Sequence, residues 1–344
     1  MNIAATYLAR NRHRFDLDSR SLPERLSWIA VTPRFRTSAH VVFLALADGS
    51  TDPVLVAKVS RMSGRSDALD REAANLRAVQ GARAGGFDSV PRLVADDMVA
   101  DTRLLVETGL AGRLLGAPMV RRRPQACAAA LLAWVTELHM ATVHHGGDAR
   151  AAYDRLLAEP LNELERRLPP SSATVDLIAR TRELTLPLRD LAIPLVMEHG
   201  DLSAPNILVT AGGGLGVVDW ELAETESLPG QDLFFALAYL AFARAGATRI
   251  DECVAAFRGA FFGPQGWARP YVEAYAASLR LPRAALGPLF VACWSRYVVK
   301  RAARLLDPGA ARLGEESAAW LTRDRFHALW DHTVRHVDEL HLTH

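Results

Sequence analysis

Cysteine is scarce in this chain and lysine scarcer still. Its 344 residues hold three cysteines, Cys127, Cys253 and Cys293. Odd in number and far apart, they exclude a disulfide scaffold and the paired spacing of a zinc site, and are expected as buried thiols in a reducing cytoplasm. Long hydrophobic runs are absent too. The longest, LFFALAYLAFA at 233–243, is too short to span a bilayer and is expected as a buried helix. The N-terminal MNIAATYLARNRHRF lacks the apolar core of a secretory signal. Neither sign of charge prevails: 40 basic residues face 39 acidic ones, a formal net charge of +1, so neither nucleic acid nor a membrane is an expected partner. Only two of the basic residues are lysines, Lys58 and Lys300. Lys58 lies in VLVAKVS, a β-branched run that reads as a central strand, where a buried ammonium must find a partner or reach the surface.

Half of the residues are hydrophobic, enough for a large core, and the length suits two domains. Residues 1–30 suggest one or two short helices. SAHVVFLALADG and DPVLVAKVS read as a hairpin closed by a D-G turn. SGRSDALDREAANLRAVQGARAGG reads as a helix with an apolar stripe of Ala68, Leu69, Ala73, Leu76 and Val79. VPRLVADDMVADTRLLVETG adds two strands. Beyond Gly109 the character turns helical, and the one clear β signal is a hairpin at 207–218. The expectation is α+β: a small antiparallel-sheet lobe with one helix over residues 1–108, and a large, mainly helical lobe over 109–344.

HGDLSAPNIL at 199–208 and GVVDWE at 216–221 carry the chemistry. They set Asp201, Asn206 and Asp219 around a tight hairpin. These are the residue types that orient an acceptor hydroxyl and hold Mg2+ on a nucleotide triphosphate. Asp201 is the candidate to take or orient the hydroxyl proton. Asn206 offers a carbonyl oxygen and Asp219 a carboxylate to the metal. His199 has no chemical task and is expected to brace the loop. A lone H-x-D is weak; H-G-D-x-x-x-x-N followed by strand, turn, strand and Asp is specific. With that motif in place, Lys58 becomes the lysine for the α- and β-phosphates and Glu72, fourteen residues on in the predicted helix, its partner, whereas Asp70 faces another side. In LLVETGLAG the main chain of Val106, Glu107 and Gly109 is either the contact for the nucleotide base or an ordinary linker.

These residues resemble the aminoglycoside phosphotransferase family, which shares the bilobal fold of protein kinases and includes choline and homoserine kinases. The resemblance runs from about residue 30 to the C-terminus. It implies Asp201 as catalytic base, Asn206 and Asp219 as magnesium ligands, Lys58 and Glu72 as the phosphate-binding pair, and Asp232 as a brace for the catalytic loop. Trp220-Glu221 follows the metal aspartate where protein kinases have Phe-Gly, and no A-P-E segment is present, which favours a small-molecule kinase. A Gly-rich phosphate loop is missing; RFRTSAHVVF takes its place, with Thr37 and Ser38 at the turn, and leaves ATP or GTP open.

Few acidic residues apart from Glu221, Glu224 and Glu226 stand near the motif, and WSRYVVKRAARLL at 294–306 is basic. The acceptor expected is neutral or mildly charged: a sugar, nucleoside or macrolide-like natural product. Trp267, Tyr271, Trp294 and Tyr297 either stack on it or belong to the core. The expected activity is ATP- and Mg2+-dependent phosphorylation of a small-molecule hydroxyl, inactivating an antibiotic or related natural product. The alternatives are a biosynthetic or salvage kinase for a sugar, nucleoside or amino alcohol, and a non-catalytic nucleotide-binding scaffold. The latter would lack one of Asp201, Asn206, Asp219 or Lys58. Monomer and homodimer are equally compatible with the sequence.

Overall fold

A computed structural model describes residues 3–12, 22–23, 25–31, 40–64, 66–305 and 312–340. The chain divides into two compact units. The first holds residues up to Leu115 together with Pro205–Ala223; the second holds Gly116–Ala204 and the chain from Glu224 onward. The sheet lobe therefore runs to residue 115 rather than 108. The hairpin expected in the helical half packs with the sheet.

The first unit is built on strands β1 (Leu26–Val31), β2 (His40–Ala47), β3 (Pro53–Ser63), β4 (Leu93–Val99) and β5 (Thr102–Thr108). They form one antiparallel sheet in the order β1-β2-β3-β5-β4, so β3 is its middle strand. β1 replaces part of the helical N-terminal segment expected from sequence; most of its residues are exposed, so LSWIAV carries little pattern. Alternation along β3 decides the rest. Leu55, Ala57 and Val59 turn to one face. There they pack with Leu104 and Val106 against Ala4, Tyr7 and Leu8 of helix α1 (Ile3–Asn11). Lys58 takes the opposite face. Helix α2 (Asp67–Gly81) buries Leu69, Glu72, Ala73, Leu76 and Val79, so a glutamate sits inside an otherwise apolar stripe. Strands β6 (Arg113–Leu114), β8 (Ile207–Val209) and β9 (Leu215–Val217) form a second small sheet.

The second unit is mainly helical. Its helices are α3 (Ala117–Arg122), α4 (Pro124–Thr142), α5 (Ala149–Tyr153), α6 (Glu159–Arg167), α7 (Ala173–Thr185), α8 (Gln231–Ala245), α9 (Ile250–Phe261), α10 (Arg269–Ser278), α11 (Arg283–Leu305), α12 (Glu315–Thr322) and α13 (Arg325–Arg335). One turn of π-helix joins α5 to α6. A two-stranded ribbon of β7 (Val196–Glu198) and β10 (Glu224–Ser227), not foreseen in the sequence, lies among them. The apolar run at 233–243 forms the buried length of α8. Among the described residues no single helix is long and apolar enough to cross a membrane. All three cysteines are buried and unpaired.

Candidate active site

In the first unit, four side chains from four elements meet. The Lys58 ammonium is buried and hydrogen-bonded to Glu72 Oε1 of α2. Glu107 Oε1 and Asp219 Oδ1 each lie 3.7 Å from it. The ladder explains Glu107: Lys58 pairs with Leu105, so the residue two further along β5 points to the same face. Burial alone would pull the Lys58 amine down, but the carboxylates of Glu107, Glu72 and Asp219 hold it above the usual lysine range. One ammonium cannot answer three carboxylates. Burial drives the Glu107 carboxyl up to about 8 and raises Glu72 as well, against the pull of Lys58. A cation added beside the cluster would favour the charged forms of these carboxyls.

The hairpin carries two residues that could hold such a cation. β8 and β9 pair Ile207 with Val217, and Val218 N–H donates to the Asn206 carbonyl at 3.0 Å, so the ladder runs one step past the strands. Asn206 and Asp219 thereby stand at its open end. Asp219 has a left-handed backbone, φ 71°, which strains any residue but glycine and is tolerated where the surroundings enforce it. The enforcement is visible. Trp220 N–H donates to Glu72 Oε1 at 3.1 Å, and Asn75 Nδ2 donates to the carbonyls of Trp220 at 2.8 Å and Ala223 at 3.0 Å. Glu72 thus ties the lysine strand to the segment after Asp219. Among the described residues, no three His, Cys, Asp or Glu side chains gather to hold a metal by themselves. Asn206 and Asp219 offer one carbonyl and one carboxylate oxygen. Such hard donors fit Mg2+, which takes its remaining ligands from water and phosphate.

Asp201 belongs to the second unit. Its loop turns at Gly200, φ 81°. Asp232, the second residue of α8, is buried, and its carboxylate accepts the N–H groups of His199 at 2.7 Å and Gly200 at 3.0 Å. His199 is buried, and its Nδ1 accepts the Asp201 N–H at 3.3 Å. Behind Asp232 stands His139, whose Nε2 is 3.5 Å from the carboxylate and whose Nδ1 is 2.6 Å from the Tyr275 hydroxyl. That hydroxyl also accepts the Gly230 N–H at 2.9 Å.

A buried ionic network holds both ends of this arrangement. Glu198, just before His199, binds Arg296 at 2.9 Å and also Lys300. Arg296 reaches Gln231 Oε1, adjacent to Asp232, at 2.6 Å, Ser227 Oγ at 2.7 Å and Glu224 at 3.3 Å. Lys300 is 2.8 Å from Glu224 Oε1. Burial would raise the Glu198 carboxyl, but Arg296 and Lys300 outweigh it and hold it down at about 2.

The structure therefore gathers Lys58, Glu72 and Asp219 in one unit, with Asn206 on the same hairpin, and sets His199, Asp201 and Asp232 in the other. Thr37 and Ser38 lie outside the described residues. Around Val106–Gly109, the Thr108 N–H donates to Arg92 O at 2.9 Å and the Gly109 N–H to Val54 O at 3.0 Å. The sheet thus continues one residue past β5. Glu107 acts through its side chain, and Trp294 and Tyr297 are buried in an aromatic core. Asn75, Glu198 and Arg296 are not singled out in the sequence, and Glu107 is expected there to act through its main chain. The signal for three of them is a charged or amide residue at an inward position of a strand or an apolar helix stripe.

A model of the phosphotransferase enzyme family matches residues 36–275. No curated protein matches the chain significantly by sequence. Among solved structures, a thermostable mutant of aminoglycoside phosphotransferase APH(4)-Ia in ternary complex with ADP and hygromycin B is similar at a TM-score of 0.56 and 14% identity, covering 97% of this chain and 98% of that one. The choline kinase LicA from Streptococcus pneumoniae is similar at 0.52 and 12% identity, covering 98% and 99%. These likenesses carry the bilobal, protein-kinase-like fold. With the family model covering well over half its length, the chain belongs to the phosphotransferase enzyme family and is a small-molecule kinase.

Proposed function

We propose that the chain transfers the γ-phosphoryl group of ATP to a hydroxyl of a small molecule, an antibiotic or related natural product. The observation that carries this reading is the buried Lys58 amine shared by Glu72, Glu107 and Asp219. An ammonium held above the usual lysine range stays charged for phosphate oxygens, and Glu72 keeps it aimed. Asn206 and Asp219 would hold Mg2+, which when bound neutralises charge on the β- and γ-phosphates. ATP is favoured by the related structures, of which one is described with ADP and another with AMP-PNP. Asp201 accepts or orients the acceptor proton, on a loop whose N–H groups are fastened by Asp232. All of Lys58, Asp201, Asn206 and Asp219 are present, which argues against a non-catalytic scaffold. Three buried thiols suit a reducing cytoplasm.

The test has two arms. Asp201→Ala should abolish phosphate transfer, read by mass spectrometry on a panel of antibiotics and sugars, while leaving nucleotide affinity unchanged. Asp219→Ala should weaken Mg2+-dependent nucleotide binding itself. Transfer by the Asp201 variant at the wild-type rate refutes the assignment.

A further inference from the structure

Glu107 keeps one carboxyl oxygen unanswered among the described residues. The side chain is buried, 2% exposed. Its Oε1 faces the Lys58 amine at 3.7 Å, whereas Oε2 is buried and accepts no hydrogen bond. Folded proteins rarely leave a buried acceptor without a donor, and such an atom is one that a ligand can complete. Strand pairing shows what stands around it. Lys58 pairs with Val42 and Leu105, and Val56 with Leu44 and Glu107. Paired residues share a face, so these side chains all turn away from the core on α1. Val42, Leu44 and Val56 are only half-buried there, a patch of branched apolar groups beside a buried ammonium. Glu107 lies one residue pair from Lys58 toward the end of β5, about 7 Å along the sheet.

An ammonium, an apolar patch and a lone acceptor on one face match three parts of a nucleotide: phosphate, flat ring and ring-edge N–H. Ribose offers hydroxyls as well, but these are hydrated groups and Glu107 Oε2 is closed off from solvent. Two purines compete for it. A carboxylate that selects guanine accepts from N1–H and the 2-amino group together, one on each oxygen; here Oε1 is already engaged by Lys58. Adenine needs a single acceptor for its 6-amino group. Burial pushes the Glu107 carboxyl up to about 8 before any ligand arrives, and an N–H donated to it favours the charged, accepting form.

Resting on the kinase reading above, we propose that Glu107 selects the nucleotide: with the phosphates on Lys58 and the ring over Val42, Leu44 and Val56, its Oε2 accepts a hydrogen bond from the 6-amino group of adenine. Glu107 is thus a specificity residue for ATP, acting through its side chain.

The experiment measures Kd by calorimetry on the full chain with Mg2+ and three nucleotides: ATP, GTP and purine riboside triphosphate, which lacks the 6-amino group. Wild type should bind ATP about tenfold to a hundredfold more tightly than either of the others, the worth of one buried hydrogen bond to a charged group. In Glu107→Leu the affinities for ATP and purine riboside triphosphate should converge. In Glu107→Gln the amide oxygen stays with Lys58 and the NH2 group takes the place of Oε2, so the preference should shift toward GTP, whose 6-oxygen accepts it. These ratios separate reading of the base from support of Lys58, which would change all three nucleotides alike. The wild-type ratio is decisive even if a variant fails to fold. Equal wild-type affinity for ATP and purine riboside triphosphate, tighter wild-type binding of GTP, or a ratio unchanged in Glu107→Leu or Glu107→Gln overturns the proposal. A wild-type chain that binds none of the three sinks the kinase reading instead.

Discussion

Replacing Asp232 by asparagine removes one of two acceptor oxygens under the loop that carries Asp201. In the native structure the two carboxylate oxygens accept the His199 N–H at 2.7 Å and the Gly200 N–H at 3.0 Å, in a site that is almost fully buried. Asparagine keeps one acceptor, now uncharged, and turns an NH2 group toward the other N–H. A hydrogen bond to a charged group is worth about 1.5–3 kcal/mol and an unpaired buried donor costs about 1–3 kcal/mol, so the substitution should cost about 3 kcal/mol. For a chain of this size that lowers the melting temperature by about 4 °C. The loop must also shift to relieve the donor–donor contact, and misplacing a catalytic group by about 1 Å costs about a hundredfold in rate. The expected result is a kcat lowered by about that factor with nucleotide affinity unchanged, because Lys58, Glu72, Asn206 and Asp219 all lie in the other unit. Thermal melts, steady-state kinetics with one accepted substrate and calorimetric titration of the nucleotide read the three quantities. A variant that melts with the wild type and turns over at its rate refutes the bracing role; a lowered melting point with unchanged kcat confines Asp232 to stability.

The network at Glu198 predicts an acid limb. Its folded-state carboxyl is held down from 4.5 to about 2 by Arg296 and Lys300. The native state therefore binds fewer protons than the unfolded chain over that interval. Its contribution, on the order of 3 kcal/mol, is complete above about pH 4.5 and fades as the pH falls toward 2. Urea midpoints should drop across this window in wild type and change less in Glu198→Gln; equal slopes count against the network. Gly109→Ala should be poorly tolerated, because a Cβ there would stand 1.9 Å from the Pro53 carbonyl oxygen, part of the backbone. A loss of at least about 2 kcal/mol by chemical denaturation is expected, and wild-type stability would show that the strand end yields.

Local signals carried much of the fold. The D-G turn between β2 and β3, the alternation along β3 and the stripe on α2 are each written within a dozen residues, so these elements stand where the pattern puts them. The edge strand β1 and the β7–β10 ribbon are legible only through their partners. β1 has little apolar alternation, and Glu198 pairs with Glu224, 26 positions further along the chain.

The division follows the range of the forces. By itself the sequence determined the chemistry: an aspartate, an asparagine and a second aspartate at set spacings on a loop and hairpin, and a lone lysine inside an apolar strand. Such residue types have few structural uses in combination. What only the tertiary structure decided is how those groups are charged and held. Glu107 reaches Lys58 through strand pairing, Asp232 reaches the His199 and Gly200 amides from another element, and Arg296 reaches Glu198 across 98 positions. Burial and charge pairing depend on distance in space, and a sequence records only distance along the chain.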